Sequence, residues 1–202
     1  MADKAFIHPQ ALVETVQIGQ GTKIWAFAHV QQNVVIGDHC NIGDHVFVEQ
    51  GVVIGNGVTI KNGVSIWAGV SIDDYAFIGP NAVFTNDRYP RSPRHPALNE
   101  KYTDDCWLEE THIAEGVTIG ANATILCGTT LAPYAMVAAC SFVNRNLRRF
   151  ELVAGIPATF LSYVCMCGHP LSNITRPRCA VCGRCYIRQD EELCYIEETE
   201  SP

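Results

Sequence analysis

Apolar residues return along this chain at every sixth position. From Phe6 the frame runs through Leu12, Ile18, Ile24, Val30, Ile36, Ile42, Val48, Ile54, Ile60, Ile66, Ile72 and Ile78 to Phe84. A small or β-branched residue often stands two places earlier, as at Val34, Cys40, Val46, Val52, Val58, Val64, Val70, Ala76 and Ala82. Glycine often follows, as at Gly19, Gly37, Gly43, Gly55 and Gly79. A period of six matches neither a helical turn nor simple alternation. It fits a short strand followed by a corner: residues two apart on a strand both turn inward, while the one between turns out. Hexads of this kind are a signature of parallel β-helices. Three faces make one coil of eighteen residues, so Val30, Val48, Ile66 and Phe84 are predicted to stack, with strands about 4.8 Å apart. A β-sandwich of alternating strands would not keep this frame.

The frame breaks after Phe84. Residues 86–106, NDRYPRSPRHPALNEKYTDDC, carry three prolines together with Arg88, Arg91, Arg94 and Lys101, and show no inward repeat. Long loops without structure of their own are usually functional or disordered, and this one is expected to be a flap over a binding site. The period resumes at Ile113, Ile119, Ile125, Leu131, Val137 and Val143, with Trp107 also placed in frame. The offset across the loop is not a multiple of six, which marks an insertion. The turn Gly155-Ile156-Pro157 is expected to close the last coil, with a short helix beside it. The chain thus divides into an all-β domain over 1–162 and a cysteine-rich tail over 163–202.

Charge and cysteine content narrow the chemistry. A formal charge of -7 and a pI near 5.4 argue against a nucleic-acid partner, which needs a basic face. No apolar run reaches the length of a membrane span, and the start, MADKAFIHPQ, has no signal core, so a cytoplasmic location is expected. Of ten cysteines, Cys165, Cys167, Cys179, Cys182, Cys185 and Cys194 crowd the tail. Two close pairs, in CMCG and CAVCG, form the pattern of a zinc ribbon, with Cys165, Cys167, Cys179 and Cys182 as the ligand set and Cys185 as a substitute. Four sulfurs leave no open position, so the zinc is structural.

Several strings carry a family resemblance. Phe84-Thr85-Asn86-Asp87 followed by Tyr89-Pro90-Arg91-Ser92, the preceding Ile78-Gly79-Pro80, and Ile24-Trp25 with Phe27 and His29 resemble the left-handed β-helix acyltransferases that N-acetylate nucleotide-linked amino sugars. Their substrates are 3-amino sugars on UDP or dTDP, used for cell-surface polysaccharides. Val153-Ala154-Gly155-Ile156-Pro157-Ala158 is shared more broadly by hexapeptide-repeat acyltransferases. The resemblance spans residues 6–162; the cysteine-bearing tail is similar to an extension found in some members. Ala26 and Trp67 depart from the family, where a polar group and a tyrosine are common.

The resemblance implies a left-handed β-helix and a homotrimer with acetyl-CoA and sugar nucleotide in clefts between subunits. Asn86, at the coil-to-loop junction, is the candidate for orienting the amine or polarising the thioester. His29 points outward on the face of Ser65 and Trp67 and is the second catalytic candidate, with His112 as a rival base. Asp87, Arg88, Tyr89, Arg91 and Trp67 are assigned to the sugar nucleotide, the arginines because forked guanidinium groups suit a diphosphate. Asp87 also fits an Asx-type corner cap. CoA is expected along Gly120, Ala138 and Gly155, with Arg148 and Arg149 at its phosphates. Two other classes remain open. One is a metal hydratase of the trimeric carbonic anhydrase type, using His29, His45 and His112. The other is a non-catalytic solenoid that displays a surface for protein partners.

Overall fold

The computed structural model describes residues 4–171, 177–189 and 192–196. Short parallel strands stack into three faces around a narrow apolar core. The first face begins with Phe6–Ile7 and Lys23–Ile24, the second with Leu12–Val13 and His29–Val30, the third with Val35–Ile36 and Val53–Ile54. From Lys23 to Phe84 registers step by eighteen residues, as in Val30↔Val48, Ile66↔Val48 and Ser65↔Val83. The first coil steps by seventeen, with Ile7↔Ile24 and Val13↔Val30, so Val13 packs on the core while Phe6 and Leu12, expected as inward rungs, are exposed. The predicted stack of Val30, Val48, Ile66 and Phe84 is therefore present, and all four are buried. Each coil leaves strand N–H and C=O groups open above and below, and the next coil pairs them.

Corners need a left-handed residue. Glycine supplies it at Gly21, Gly51, Gly57, Gly63 and Gly69, but Phe27, His39, His45, Tyr75 and Tyr134 also adopt positive φ. Ring stacking between successive coils offsets part of that strain, of order 1–2 kcal/mol per residue. Phe27 lies on His45 with centroids 4.9 Å apart, and Tyr134 lies on Phe150 at 5.4 Å. Gly120 answers a different need: a Cβ there would fall 2.7 Å from the Ala138 carbonyl carbon of the next coil.

The insertion leaves from Val83–Phe84 on the second face, and the chain rejoins on the third, where Thr111–Ile113 pairs with Val70–Ile72. The segment is more ordered than its composition suggests, since it contains 3-10 turns at Asn99–Tyr102 and Asp105–Trp107. Trp107 ends the second turn and is not an inward rung; its ring meets Tyr102 at 5.6 Å.

Among the described residues, the far end closes without the expected helix. Glu151–Ala154 continues the first face, reverses through Gly155, and pairs antiparallel with Thr159–Val164. That second strand crosses the expected boundary between 162 and 163 and pairs onward with Pro170–Leu171. A second apolar cluster joins Phe150 and Tyr163 of the solenoid end to Cys165, Leu171, Cys179, Tyr186 and Leu193 of the tail. No helix among the described residues is long and apolar enough to cross a membrane.

Candidate functional site at the root of the inserted loop

Asn86 occupies the corner at which the insertion departs. Its side-chain amide donates to the Ala68 carbonyl of the coil below at 3.4 Å. The Ala68 N–H in turn donates to Glu49 Oε2 at 2.8 Å. Asn86 and Glu49 thus engage the carbonyl and the N–H of one residue, Ala68. Stepping back eighteen residues from Trp67 reaches Glu49, so the coil arithmetic already contained this neighbour.

The two feet of the loop are joined. Glu109 N–H donates to Asn86 O at 3.0 Å, and Asp87 bridges antiparallel to Leu108. Arg88 Nε reaches both Glu109 oxygens at 3.0 and 2.9 Å, and its Nη2 donates to Cys127 O at 2.7 Å. The Glu109 carboxylate raises the Arg88 pKa. The guanidinium expected on a diphosphate is thus engaged in fastening the loop.

Asp87 is engaged likewise. Its carboxylate accepts from Tyr89 N–H at 2.9 Å, from Lys101 Nζ at 2.8 and 2.7 Å, and from Tyr102 Oη at 2.8 Å. Burial pushes its pKa up, but hydrogen bonds from Lys101, Tyr102 and Tyr89 outweigh it and hold the carboxyl below its ordinary value. The Asx-cap reading describes this group, and the sugar-hydroxyl reading finds its oxygens already taken. Tyr89 and Arg91 are exposed, and Arg91 Nη1 donates only to Pro90 O at 2.9 Å among the described residues. Trp67 packs partly on the core, its ring 5.5 Å from Phe47. The loop, Glu49 and the Ala68 corner enclose a cavity of about 430 Å³, lined also by Asn33, Gln50, Asp105, Trp107 and Leu108.

His29 stands apart from Asn86. The ladder His29↔Phe47, Ser65↔Phe47, Ser65↔Val83 puts three strand spacings, about 14 Å, between His29 and Val83, and Asn86 lies three residues beyond Val83. Its Nε2 faces Glu14 Oε1 at 3.3 Å and its ring meets Phe47 edge-on at 5.4 Å. His112 lies on the third face, with Nε2 3.2 Å from Asp73 Oδ2 and Nδ1 3.1 Å from Ser71 Oγ. His45 is at another corner, stacked on Phe27. The three histidines of the hydratase reading do not converge within the chain.

The residues assigned to CoA fall on two further corners. Gly120 and Ala138 follow the first face, one coil apart, and Gly155 lies at the next reversal. The Gly120 and Ala138 N–H groups donate to Val137 O and Val153 O, because stacked coils use them for the ladder, and the Gly155 N–H donates to Ser141 Oγ. Arg148 and Arg149 precede the first face instead. Arg148 lines a cavity of about 510 Å³ with Arg145, Glu151, Phe160, Tyr163 and Arg188, while Arg149 lies over the Phe150 ring at 5.9 Å.

In the tail, the sulfurs of Cys165, Cys167, Cys179 and Cys182 all lie within 4.8 Å of one another, the expected set. Cys165–Cys182 are 3.4 Å apart and Cys167–Cys179 3.6 Å. Cys185 turns its thiol to Gly183 O instead. Tyr186 Oη donates to Cys165 Sγ at 3.0 Å and accepts from Met166 N–H at 2.9 Å, while its ring meets Phe150 at 5.1 Å.

Comparison with known proteins agrees with this architecture. The bacterial transferase hexapeptide family matches residues 15–50 and 51–86, and the hexapeptide repeat of succinyl-transferase matches 33–68. The dTDP-3-amino-3,6-dideoxy-alpha-D-galactopyranose 3-N-acetyltransferase of Aneurinibacillus thermoaerophilus is 44% identical over 189 residues, 94% of each chain. A hexapeptide-repeat acetyltransferase of Vibrio cholerae, solved with acetyl coenzyme A, is 26% identical at a TM-score of 0.54, covering 64% of this chain and 70% of its own. The acetyltransferase domain of PglB from Neisseria gonorrhoeae is similar in fold, with 21% identity, a TM-score of 0.52, and coverage of 79% of this chain and 58% of that one. A full-length relative at 44% identity, on a solenoid whose coils step by eighteen residues, decides the family: this chain belongs to the hexapeptide-repeat acyltransferases.

Proposed function

We propose that the chain transfers an acetyl group from acetyl-CoA to the amine of a nucleotide-linked 3-amino sugar. The observation that carries this reading is the 44% identity, over 94% of both chains, to a relative named for that transfer. The ordered loop root supports it, because acyl transfer to an amine depends on positioning and on polar groups at the developing oxyanion.

The neutral amine attacks the thioester carbonyl, a C–N bond forms, the C–S bond breaks, and the departing thiolate takes a proton released from nitrogen. Asn86 cannot act as a base; its amide orients the amine or polarises the carbonyl. Arg91 and Tyr89, exposed on the loop, face the nucleotide. The loop root and the Gly120–Ala138 edge occupy different corners of one chain. A homotrimer, setting one copy's corner against another's loop, would complete the site.

The four tail cysteines suit zinc. A Zn–S bond of about 2.3 Å in a tetrahedron separates sulfurs by about 3.8 Å, close to the spacings seen here. Zinc would act as a structural crosslink, and the Cys185–Gln189 and Glu192–Ile196 hairpin beside it would depend on it for folding.

Incubating the full chain with acetyl-CoA and a panel of UDP- and dTDP-amino sugars, with release of free thiol as the readout, tests the reading. Turnover of a 3-amino sugar nucleotide is expected. Absence of thiol release across the panel would overturn it.

A further inference from the structure

The cavity beneath the loop is lined by polar side chains, three of them exposed, to which no other described side chain hydrogen-bonds. Glu49 gives Oε2 to the Ala68 N–H at 2.8 Å. Its Oε1 has no partner among the described residues, and neither do the Asp105 carboxylate, the Asn33 and Gln50 amides or the Trp107 indole N–H. All five residues line one space of about 430 Å³, within the range of small-molecule sites.

Charge narrows the ligand. The cations nearest in sequence are already committed, Arg88 to Glu109 and Lys101 to Asp87. The cavity therefore keeps two uncompensated carboxylates, which disfavours a phosphate and favours an ammonium. Acceptors, amide donors and an indole wall together suit a sugar ring, whose polar edge needs hydrogen bonds while its flat face packs on an aromatic. Asn86 bonds to the carbonyl of Ala68, the residue whose N–H bonds to Glu49. An amine held at Glu49 is therefore delivered beside Asn86.

Resting on the acyl-acceptor reading above, we propose that this cavity is the aminohexose subsite. Glu49 Oε1 binds the ammonium, Asp105 and the Asn33 and Gln50 amides bind ring hydroxyls, and Trp107 covers one ring face. The nucleotide stays outside, since the cavity's charge repels its diphosphate. Glu49 selects the protonated amine in the encounter, and the amine loses its proton to solvent before attack. Glu49 is thus a determinant of amino over hydroxy sugars.

Calorimetry of the full chain with dTDP-3-amino-3,6-dideoxygalactose, and with the analogue bearing hydroxyl in place of the amine, tests this. Glu49→Gln keeps an acceptor for Ala68 N–H and removes the charge. It should weaken the amino ligand roughly tenfold or more while leaving the hydroxyl analogue unchanged. Trp107→Ala should weaken both ligands. Asp105→Asn, on the exposed turn, provides a second charge variant with little risk to folding, and it should weaken the amino ligand more than the analogue. Wild-type affinity for both ligands in Glu49→Gln and Asp105→Asn, beside a wild type that acetylates the amino ligand, would overturn this subsite alone. A wild type that neither binds nor acetylates the amino ligand would overturn both readings.

Discussion

Lys101 Nζ lies 2.7 Å from Asp87 Oδ2, although fourteen residues separate them along the chain. The contact closes the loop into a ring whose clasp adjoins Asn86. Tyr102 reinforces it: its single O–H lies 2.8 Å both from the same Asp87 oxygen and from Arg91 O. The segment is therefore a built platform that presents Trp107 and Asp105 over the coil.

Lys101→Met removes the clasp without touching the solenoid core. Cleavage by a protease within 88–101 should accelerate, and kcat/KM should fall on the order of tenfold to a hundredfold through lost positioning. The main thermal transition should hold. Limited proteolysis, steady-state kinetics and calorimetry on one preparation check all three.

The clasp has a defined pH range. Asp87 titrates below its ordinary 3.8 in the folded chain, so its contribution is whole above that value and disappears as pH falls through the lowered one. Lys101 titrates above 10.5, so its contribution is whole below that value and disappears as pH rises through the raised one. Hydrogen exchange in the loop, corrected for intrinsic rates, should show constant protection between about pH 4 and pH 10. Protection that decays through neutrality would point to a different clasp.

Asn86→Ala should lower kcat by about 10²–10³, the range found when one polar group at a developing oxyanion is removed. Circular dichroism should be unchanged, because the Asn86 amide makes only a long 3.4 Å bond to Ala68 O. Full turnover in this variant would remove Asn86 from the mechanism.

Metal analysis should find one zinc per chain. Chelation should unfold the Cys185–Gln189 and Glu192–Ile196 pair while leaving the stacked coils. Near-ultraviolet signals from Tyr186 and its Phe150 contact should change first, with the far-ultraviolet β signal retained. Collapse of the whole spectrum would mean that the tail holds the solenoid together.

The coils were legible because one constraint repeats: an inward rung at Ile24, Ile42 and Ile60 must recur each time the chain completes a turn. The cysteine ligands were legible for a similar reason, since their spacing is local. The loop was not. Asp87–Lys101 and Arg88–Glu109 join residues without periodicity, so the sequence named both side chains as substrate candidates, with an Asx-type cap as the other reading of Asp87, and did not contain the contacts by which they fasten the loop. Trp107 fell on a sixth position by coincidence, and its 3-10 turn follows from the Asp104 cap, which accepts from Cys106 N–H at 3.1 Å. The face on which the chain rejoins depends on where the loop's feet pair, and that is a contact between distant segments.

The most direct test of the account is to locate the acetyl group on the product. The full chain, given acetyl-CoA and dTDP-3-amino-3,6-dideoxygalactose, should yield a nucleotide sugar whose nuclear magnetic resonance spectrum shows a new amide on the C3 nitrogen, with one CoA thiol released per amide. An unmodified sugar, or an acetyl group found on a hydroxyl oxygen, would contradict it.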